Sequence, residues 1–475
     1  MRTKDTWKSI VIVGGGASGV LAAYQLTRQK LDTKIMIVDP APHLGLGLAY
    51  STPSFEHLLN VPAGKMSALP EEPDHFLDWL QRNYDCNATP MAFAPRAIFG
   101  RYLQSILASA KNVEHVGESV TDIEQVESGA IATLGDGRSL HADHVILATG
   151  NFSPAVLPGV SQTVQSAGAY KNNAWLAETY SELGKDDPVT LVGTGLTAVD
   201  VVLRLREVGH RGQVTAISRH GFFPHRHSEY QPLNDCAIPA GTAPTCVDHL
   251  RALRRSIGNV AEWRAVIDSL RDTTNDLWLA MPLKEQKRFR RHLQRRWDVV
   301  RHRMAPPVAN SIEAELAAGT LVIREGHLDS VVATDGGAKV TILTHQGIES
   351  YITTRVINCT GPSMNYRRVR SSLFDNLFAR GLATSGQIGG GFLCTRSGAM
   401  IGADGTASQV LFNLGPGRLG TLIESIAIPE IRDQALELAK HIAAQSERRE
   451  RQSREGISSA SIGCGTESQP VVVAA

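Results

Sequence analysis

Cysteine is scarce in this chain and scattered where it occurs. The six residues, Cys86, Cys236, Cys246, Cys359, Cys394 and Cys464, form no C-x-x-C pair and no Cys/His cluster at metal-ligand spacing. A dithiol redox centre and a zinc site are therefore not expected, and the set of metal ligands is read as empty. A surplus of charge is lacking too: 48 Lys plus Arg stand against 47 Asp plus Glu, a formal net charge of +1. No global field draws the protein to nucleic acid or to an anionic membrane, so any anionic ligand must be met locally. No apolar run approaches the roughly 20 residues of a membrane helix. At 475 residues, 42% hydrophobic and 20% charged, the composition is that of a soluble globular protein. A peptide hormone or disulfide-stapled module is excluded, and a prior of roughly one domain per 150 residues allows two or three domains.

Arg2, Lys4 and Lys8 precede an apolar stretch from Ile10 to Ala23 and so imitate a secretory signal. Asp5 opposes that reading, and the apolar stretch doubles as a nucleotide fingerprint that cleavage would destroy. A cytoplasmic location with reduced thiols is expected.

What the chain does contain is glycine placed where β-type apolar runs give way to helical patterns. The first such place reads Ser9-Ile-Val-Ile-Val13, Gly14-Gly-Gly-Ala-Ser-Gly19, an apolar helix through Leu26, and a strand Ile35-Met-Ile-Val38 ending at Asp39, 20 residues after Gly19. This is the strand, G-x-G-x-x-G turn, helix and acidic strand end of a dinucleotide site. Gly14 permits the tight turn, Gly16 lets backbone approach a pyrophosphate, and Gly19 lets helix pack on strand. Asp39 would accept hydrogen bonds from a ribose diol.

The second place reads Pro188-Val-Thr-Leu-Val192, Gly193-Thr-Gly195-Leu-Thr-Ala198, a helix to about Glu207, and a strand Val214-Thr-Ala-Ile-Ser218. Ala198 replaces the third glycine, which the fingerprint tolerates. No carboxylate ends this strand; Arg219 and His220 stand there, with Arg226 close behind. That suits a ribose 2′-phosphate and favours NADPH over NADH, the alternative being a solvated loop arginine.

Two buried-type strands, His144 to Leu147 leading to Thr149-Gly150 and Arg355 to Asn358 leading to Thr360-Gly361, each follow short alternating strands with turn signals. The chain thus reads as two similar halves. An α/β fold with two Rossmann-like dinucleotide-binding domains is expected. The first domain would take residues 1–150 and 355–445, and the second 151–354. Within the second, a helical insertion is expected over about 221–307, followed at the end of the chain by a mobile tail over 446–475. Between Lys284 and Arg303 the insertion holds nine Lys or Arg against Glu285 and Asp298. That charge fits a solvated helix face as well as an anion site.

Together with these units, the segments Gly45-Leu-Gly-Leu-Ala-Tyr50, His57-Leu-Leu-Asn-Val-Pro62, Lys65-Met66-Ser67, Pro95-Arg-Ala-Ile-Phe-Gly100 and Gly415-Pro-Gly-Arg-Leu-Gly-Thr421 resemble the bacterial FAD/NAD(P)-binding flavoproteins, relatives of the class B, single-component flavin monooxygenases. The resemblance spans roughly residues 9 to 445 and implies a two-domain, glutathione-reductase-like architecture. It implies FAD on Gly14, Gly16, Ala17, Ser18, Gly19 and Asp39 and at the Thr149-Gly150 exit. It implies NADPH on Gly193, Gly195, Ala198 and Arg219, and a second FAD contact from Gly415 to Thr421. Asn60 and Lys65 fall where two-domain flavoproteins pass the chain beside the flavin ring. Asn60 is a candidate hydrogen-bonding catalytic group, or caps the turn before Pro62; Lys65 is a candidate carboxylate holder, or a surface lysine. Arg291, Arg296 and Arg301 are candidates for an anionic substrate.

Some members of this wider group hydroxylate amine nitrogens, including that of aspartate. The F-x-G-x-x-x-H linker of Baeyer–Villiger enzymes is absent, because Ser166 to Trp175 holds no histidine. The expected activity is NADPH-driven, O2-consuming N-hydroxylation of a small amine or amino acid, without nucleic-acid or membrane partners. An NAD(P)H:acceptor reductase working on a quinone or redox protein is the alternative, and a non-catalytic FAD-binding module the second.

Overall fold

A computed structural model of the chain describes residues 8–462, and of 449–450 and 452–462 the backbone alone. The strand Ser9–Val13 is buried along its whole length, as a central parallel strand covered on both faces must be. It pairs in parallel with Lys34–Val38 on one side and His144–Leu147 on the other. Val113–Val116 extends the sheet beyond Lys34–Val38. Ala407–Asn413, from far along the chain, pairs in parallel with His144–Leu147, and Ala399–Ile401 closes that edge antiparallel. The first fingerprint helix, Ala17–Arg28, and the long helix Ile428–Ile462 pack against each other on this sheet.

The second sheet repeats the plan. Its order is Leu321–Glu325, Val214–Ser218, Val189–Val192, Arg355–Asn358 and Tyr170–Lys171, all parallel. Each half also carries a three-stranded antiparallel ribbon, Val120–Val126 with Gly129–Leu134 and Ser139–Ala142 in the first, and His327–Thr334 with Gly337–Thr344 and Gly347–Thr353 in the second. The architecture expected from the two fingerprints is present.

Two boundaries differ from expectation. Arg355–Asn358 is not the start of the return to the first domain; it hydrogen-bonds between Val189–Val192 and Tyr170–Lys171 and completes the second sheet. The return therefore begins after Gly361. The tail expected to be mobile from residue 446 continues the helix Ile428–Ile462, while residues 463–475, with Cys464, lie outside the described residues.

The insertion is helical over Cys246–Gly258, Trp263–Asp268, Thr274–Ala280, Leu283–His292 and Gln294–Arg301. It has its own small core, in which Ile238, Ala252, Val266 and Leu270 are buried. Its first stretch, 221–245, has no helix.

Candidate active site

At the first fingerprint each glycine has a distinct steric reason. Gly14 sits at φ +107°, and a Cβ there would lie 2.4 Å from the carbonyl oxygen of Ala148. A Cβ on Gly19 would lie 2.0 Å from the Gly14 carbonyl oxygen, so helix and strand meet only without it. A Cβ on Gly16 would find only the Gly47 Cα, at 3.6 Å, so this backbone is open to a ligand. Gly16 caps the helix without any side-chain hydrogen bond, and the first turn holds no acidic residue. Ala17 and Ser18 follow in that first turn, where amide groups point out along the axis with the positive end of the helix dipole.

Asp39 is already aimed. Its Oδ2 accepts from the Gly15 amide at 2.6 Å and its Oδ1 from the Ala41 amide at 2.8 Å, leaving lone pairs for a diol. Thr149 touches the Gly14 turn, and Gly150, at φ +67°, has no atom within 4 Å of its Cβ position. The distant Gly415 closes on this cradle, since a Cβ there would lie 2.3 Å from Ser18 Oγ. The Asn413 amide beside it is buried with neither Oδ1 nor Nδ2 partnered. An open backbone approach, an uncapped helix start and an orphaned amide at the end of the same sheet fit a dinucleotide with its pyrophosphate over Gly16.

The Thr421 side chain is engaged with the neighbouring loop. Its hydroxyl accepts from the Cys394 amide at 2.8 Å and donates to the Cys394 carbonyl at 3.2 Å, while its own carbonyl takes the Trp278 indole N–H. It anchors the loop.

The second fingerprint repeats the first. Gly193 is at φ +116°, with a Cβ position 2.5 Å from the Cys359 carbonyl oxygen; Gly195 is open; Ala198 is buried in the helix–sheet contact, where its methyl is accommodated. Gly195 caps the helix Leu196–Glu207 without a side chain. A cleft of about 880 Å³ opens here, lined by Gly193 to Thr197, Ser218, Arg219, His220 and Thr360-Gly361. Arg219 is exposed at its edge. Arg226 is turned away, bonded to Asn310 at 2.7 Å and ion-paired with Glu313.

The cleft runs inward to Asn60, His302 and Ile426. The same three residues line a smaller chamber of about 40 Å³ with Val61, Gln294, Trp297 and Ala427. Asn60 therefore stands where the nucleotide cleft meets residues of the first domain. Its carbonyl accepts from His227 Nε2 at 2.9 Å. Burial and the Arg301 guanidinium push the His302 imidazole down to about 4, so it is neutral at this junction. His302 was not among the sequence candidates.

The three arginine candidates do not converge. Arg301 is a correction: its Nε and Nη2 bond Glu424 at 2.8 and 2.6 Å, and Glu430 lies at 3.4 Å. Its charge is neutralised in the interior and is not offered to a ligand. Arg296 is exposed and lies over the Phe222 ring at 5.9 Å, and Arg291 is exposed on a separate helix turn. Lys65 is exposed at a third cavity, of about 430 Å³, whose wall of Arg271 and Glu430 it shares with the chamber. Desolvation there pushes the Lys65 ammonium pKa down; Asp268 opposes this, and Arg271, Arg303 and Arg301 add to it.

The two domains are locked near this junction. Arg96, at the start of the helix Arg96–Ser109, binds Asp200 on the second fingerprint helix through two bonds of 2.6 and 3.1 Å. His57 bridges the same seam, with Nε2 at 2.9 Å from the Asp200 carbonyl oxygen and Nδ1 at 2.7 Å from Thr52 Oγ1. Of the cysteines described, Cys246, Cys359 and Cys394 are buried, and burial pushes all three thiols up, which makes poor thiolates of them. Among the described residues no group of His, Cys, Asp and Glu is arranged to hold a metal ion, and no helix is long and apolar enough to cross a membrane.

Residues 11–152 match the FAD-NAD(P)-binding family model. Over 247 residues the chain is 24% identical to an uncharacterised protein of Escherichia coli (strain K12), YdhS, a match covering 48% of this chain and 44% of that one. The chain thus spans less than half the length of this curated relative. Among solved structures, the ornithine N-hydroxylase of Kutzneria sp. 744 with reduced FAD, NADP+ and L-ornithine superposes with a TM-score of 0.63 at 15% identity, covering 93% of this chain and 99% of that one. The L-lysine 6-monooxygenase of Pseudomonas syringae gives 0.62 at 15% identity over the same shares. The bacillithiol disulfide reductase of Bacillus cereus gives 0.53 at 14% identity, over 92% and 99%. The chain carries an FAD/NAD(P)-binding domain within the two-domain flavoprotein fold.

Proposed function

We propose that this protein is an FAD-dependent, NADPH-consuming monooxygenase that hydroxylates the nitrogen of a small amine or amino acid, aspartate being one candidate. The observation that carries the reading is the continuity of the nucleotide cleft: it leads from Gly193 and Arg219 to Asn60, His302 and Ile426, the residues that also wall the inner chamber. A nicotinamide laid along that cleft would end beside residues of the first domain. The similarity to ornithine and lysine hydroxylases, over almost the whole of each chain, adds to it.

FAD held over Gly14 to Gly19, with Asp39 on its ribose and Gly415 closing on Ser18, would supply hydride acceptance from NADPH and reaction with O2. The protein's own part is binding, positioning and the exclusion of water. Arg219 would meet the 2′-phosphate. The Asn60 side chain would orient the reacting nitrogen. His302, neutral at the junction, would offer a hydrogen-bond acceptor without adding a charge. Lys65 faces the outer cavity, across the Arg271 and Glu430 wall from Asn60, and would hold a carboxylate only of a substrate lodged on that side. The amine must react as its free base, because only the unprotonated nitrogen has a lone pair. Turnover should therefore rise with pH toward the substrate's ammonium pKa.

The test is a screen of small amines and amino acids, aspartate first, for hydroxylamine, oxime or nitroso products, alongside NADPH and O2 consumption. If no amine couples NADPH oxidation to a nitrogen-oxidised product while a quinone, dye or iron–sulfur protein is reduced rapidly, the protein is an acceptor reductase.

A further inference from the structure

The helix Gln294–Arg301 and the residue after it form a partition. Arg295, Asp298 and His302, at spacing i, i+3 and i+7, line the nucleotide cleft. Gln294, Trp297 and Arg301, at the same spacing one residue earlier, line the inner chamber. The insertion thus presents adjoining faces to the two cavities, with His302 lining both.

On the cleft face, Arg295 reaches into the fingerprint turn itself. Its Nη2 donates to the Thr194 carbonyl at 3.0 Å, to Thr194 Oγ1 at 3.0 Å and to the Phe222 carbonyl. Thr194 is the middle residue of Gly193-Thr-Gly195, and its hydroxyl is bonded in turn to Ser218, next to Arg219. The guanidinium is half-buried, and no carboxylate of the described residues lies within ion-pairing distance of it. Burial pushes the Arg295 guanidinium pKa down and the Arg219 charge adds to this, while Asp298, one turn on, opposes them only in part. Two guanidinium groups, Arg219 from the nucleotide domain and Arg295 from the insertion, therefore flank one end of a single cleft, both lining it.

We propose that Arg295 is a phosphate contact of the dinucleotide at the second fingerprint, so that insertion and nucleotide domain hold the cofactor jointly. The inference rests on reading that fingerprint as a nicotinamide-dinucleotide site. A phosphate anion supplies what the guanidinium lacks, a charged acceptor, and the three neutral acceptors on Nη2 hold the group in place to meet it. The phosphate is either the 2′-phosphate or the pyrophosphate.

Binding of NADP+ and of NAD+ to the FAD-loaded protein, measured by isothermal titration calorimetry, separates the two. Arg295→Ala should raise the Kd for NADP+ by about tenfold or more, the loss of one charge-assisted contact. If the contact is to the pyrophosphate, the Kd for NAD+ rises equally; if to the 2′-phosphate, NAD+ is unchanged. Arg295→Lys, which keeps charge but loses the fork, should fall between. Should Arg295→Ala fail to fold, Arg295→Gln, which keeps a donor to Thr194, should show the same rise in Kd at unaltered thermal stability. Wild-type Kd values for both nucleotides in Arg295→Ala or Arg295→Gln overturn the inference. Absence of any nucleotide binding to the wild-type protein overturns instead the reading on which it rests.

Discussion

Replacing Arg301 by methionine removes one positive member of a buried cluster and tests how the insertion is tied to the first domain. Arg301 has 5% of its side chain exposed, Glu424 6% and Glu430 10%. Two bonds to Glu424, of 2.8 and 2.6 Å, are lost, and two interior carboxylates are left facing each other. Breaking a buried pair by deleting one partner destabilises by about 3–5 kcal/mol, most of it the uncompensated charge. Arg271, 3.5 Å from Glu430, retains part of the compensation, which places the expected loss near about 3 kcal/mol. At about 2–4 °C per kcal/mol for a unit of 150–250 residues, the unfolding temperature should fall by about 6–12 °C. The assay is calorimetric unfolding at pH 7 with saturating FAD, on Arg301→Met, Glu424→Leu and the double variant. The double variant should recover most of the loss, because it no longer buries the Glu424 charge. A loss under about 1 kcal/mol in Arg301→Met, or a double variant no more stable than that single one, would refute the argument.

Gly16→Val places a side chain where the pyrophosphate must lie against the backbone, so the purified protein should be colourless; full flavin occupancy would sink the first-fingerprint assignment. Arg219→Ala should raise KM for NADPH, a loss of about 1.5–3 kcal/mol, while leaving KM for NADH nearly unchanged; equal effects on both would show that Arg219 does not read the 2′-phosphate. Asp268 is desolvated, which pushes its pKa up, yet the Arg303 hydrogen bond and charge win and hold it at about 2 against 3.8. That difference contributes about 2 kcal/mol, present above about pH 4 and lost as pH falls toward 2. Asp268→Asn should flatten stability over that window, as followed by acid unfolding with circular dichroism, and an unaltered acid transition would remove the linkage.

The fingerprints were legible because their glycines answer to local geometry: a positive φ at Gly14 and Gly193, and a helix pressed on a turn at Gly19, are properties of a few adjacent residues. Gly415 was legible only through resemblance, since its contact with Ser18 joins positions almost 400 residues apart. The strand Arg355–Asn358 was assigned to the wrong sheet for a related reason: an apolar tetrapeptide states that it will be buried, not between which neighbours. The basic helices show the limit most clearly. Arg295 and Arg301 lie six residues apart in one run of like charge, yet one faces the nucleotide cleft and the other a pair of glutamates from beyond residue 420. Charge density along the run could not tell them apart. The 3.6-residue period shared by Arg295, Asp298 and His302 carried the signal, but it names a common face and not what that face meets.

The threading of the chain through its two sheets has a consequence for synthesis on the ribosome. The second sheet is built from one continuous stretch, Tyr170–Lys171 to Arg355–Asn358, and can close as soon as that stretch has emerged. The first sheet cannot. His144–Leu147 waits, with one edge bare, until Ala407–Asn413 arrives more than 250 residues later. At about 5–20 residues per second, that edge stays unpaired for some tens of seconds. The nucleotide domain is thus a finished body while the flavin domain still lacks two of its six strands, and prosthetic-group capture comes late in synthesis.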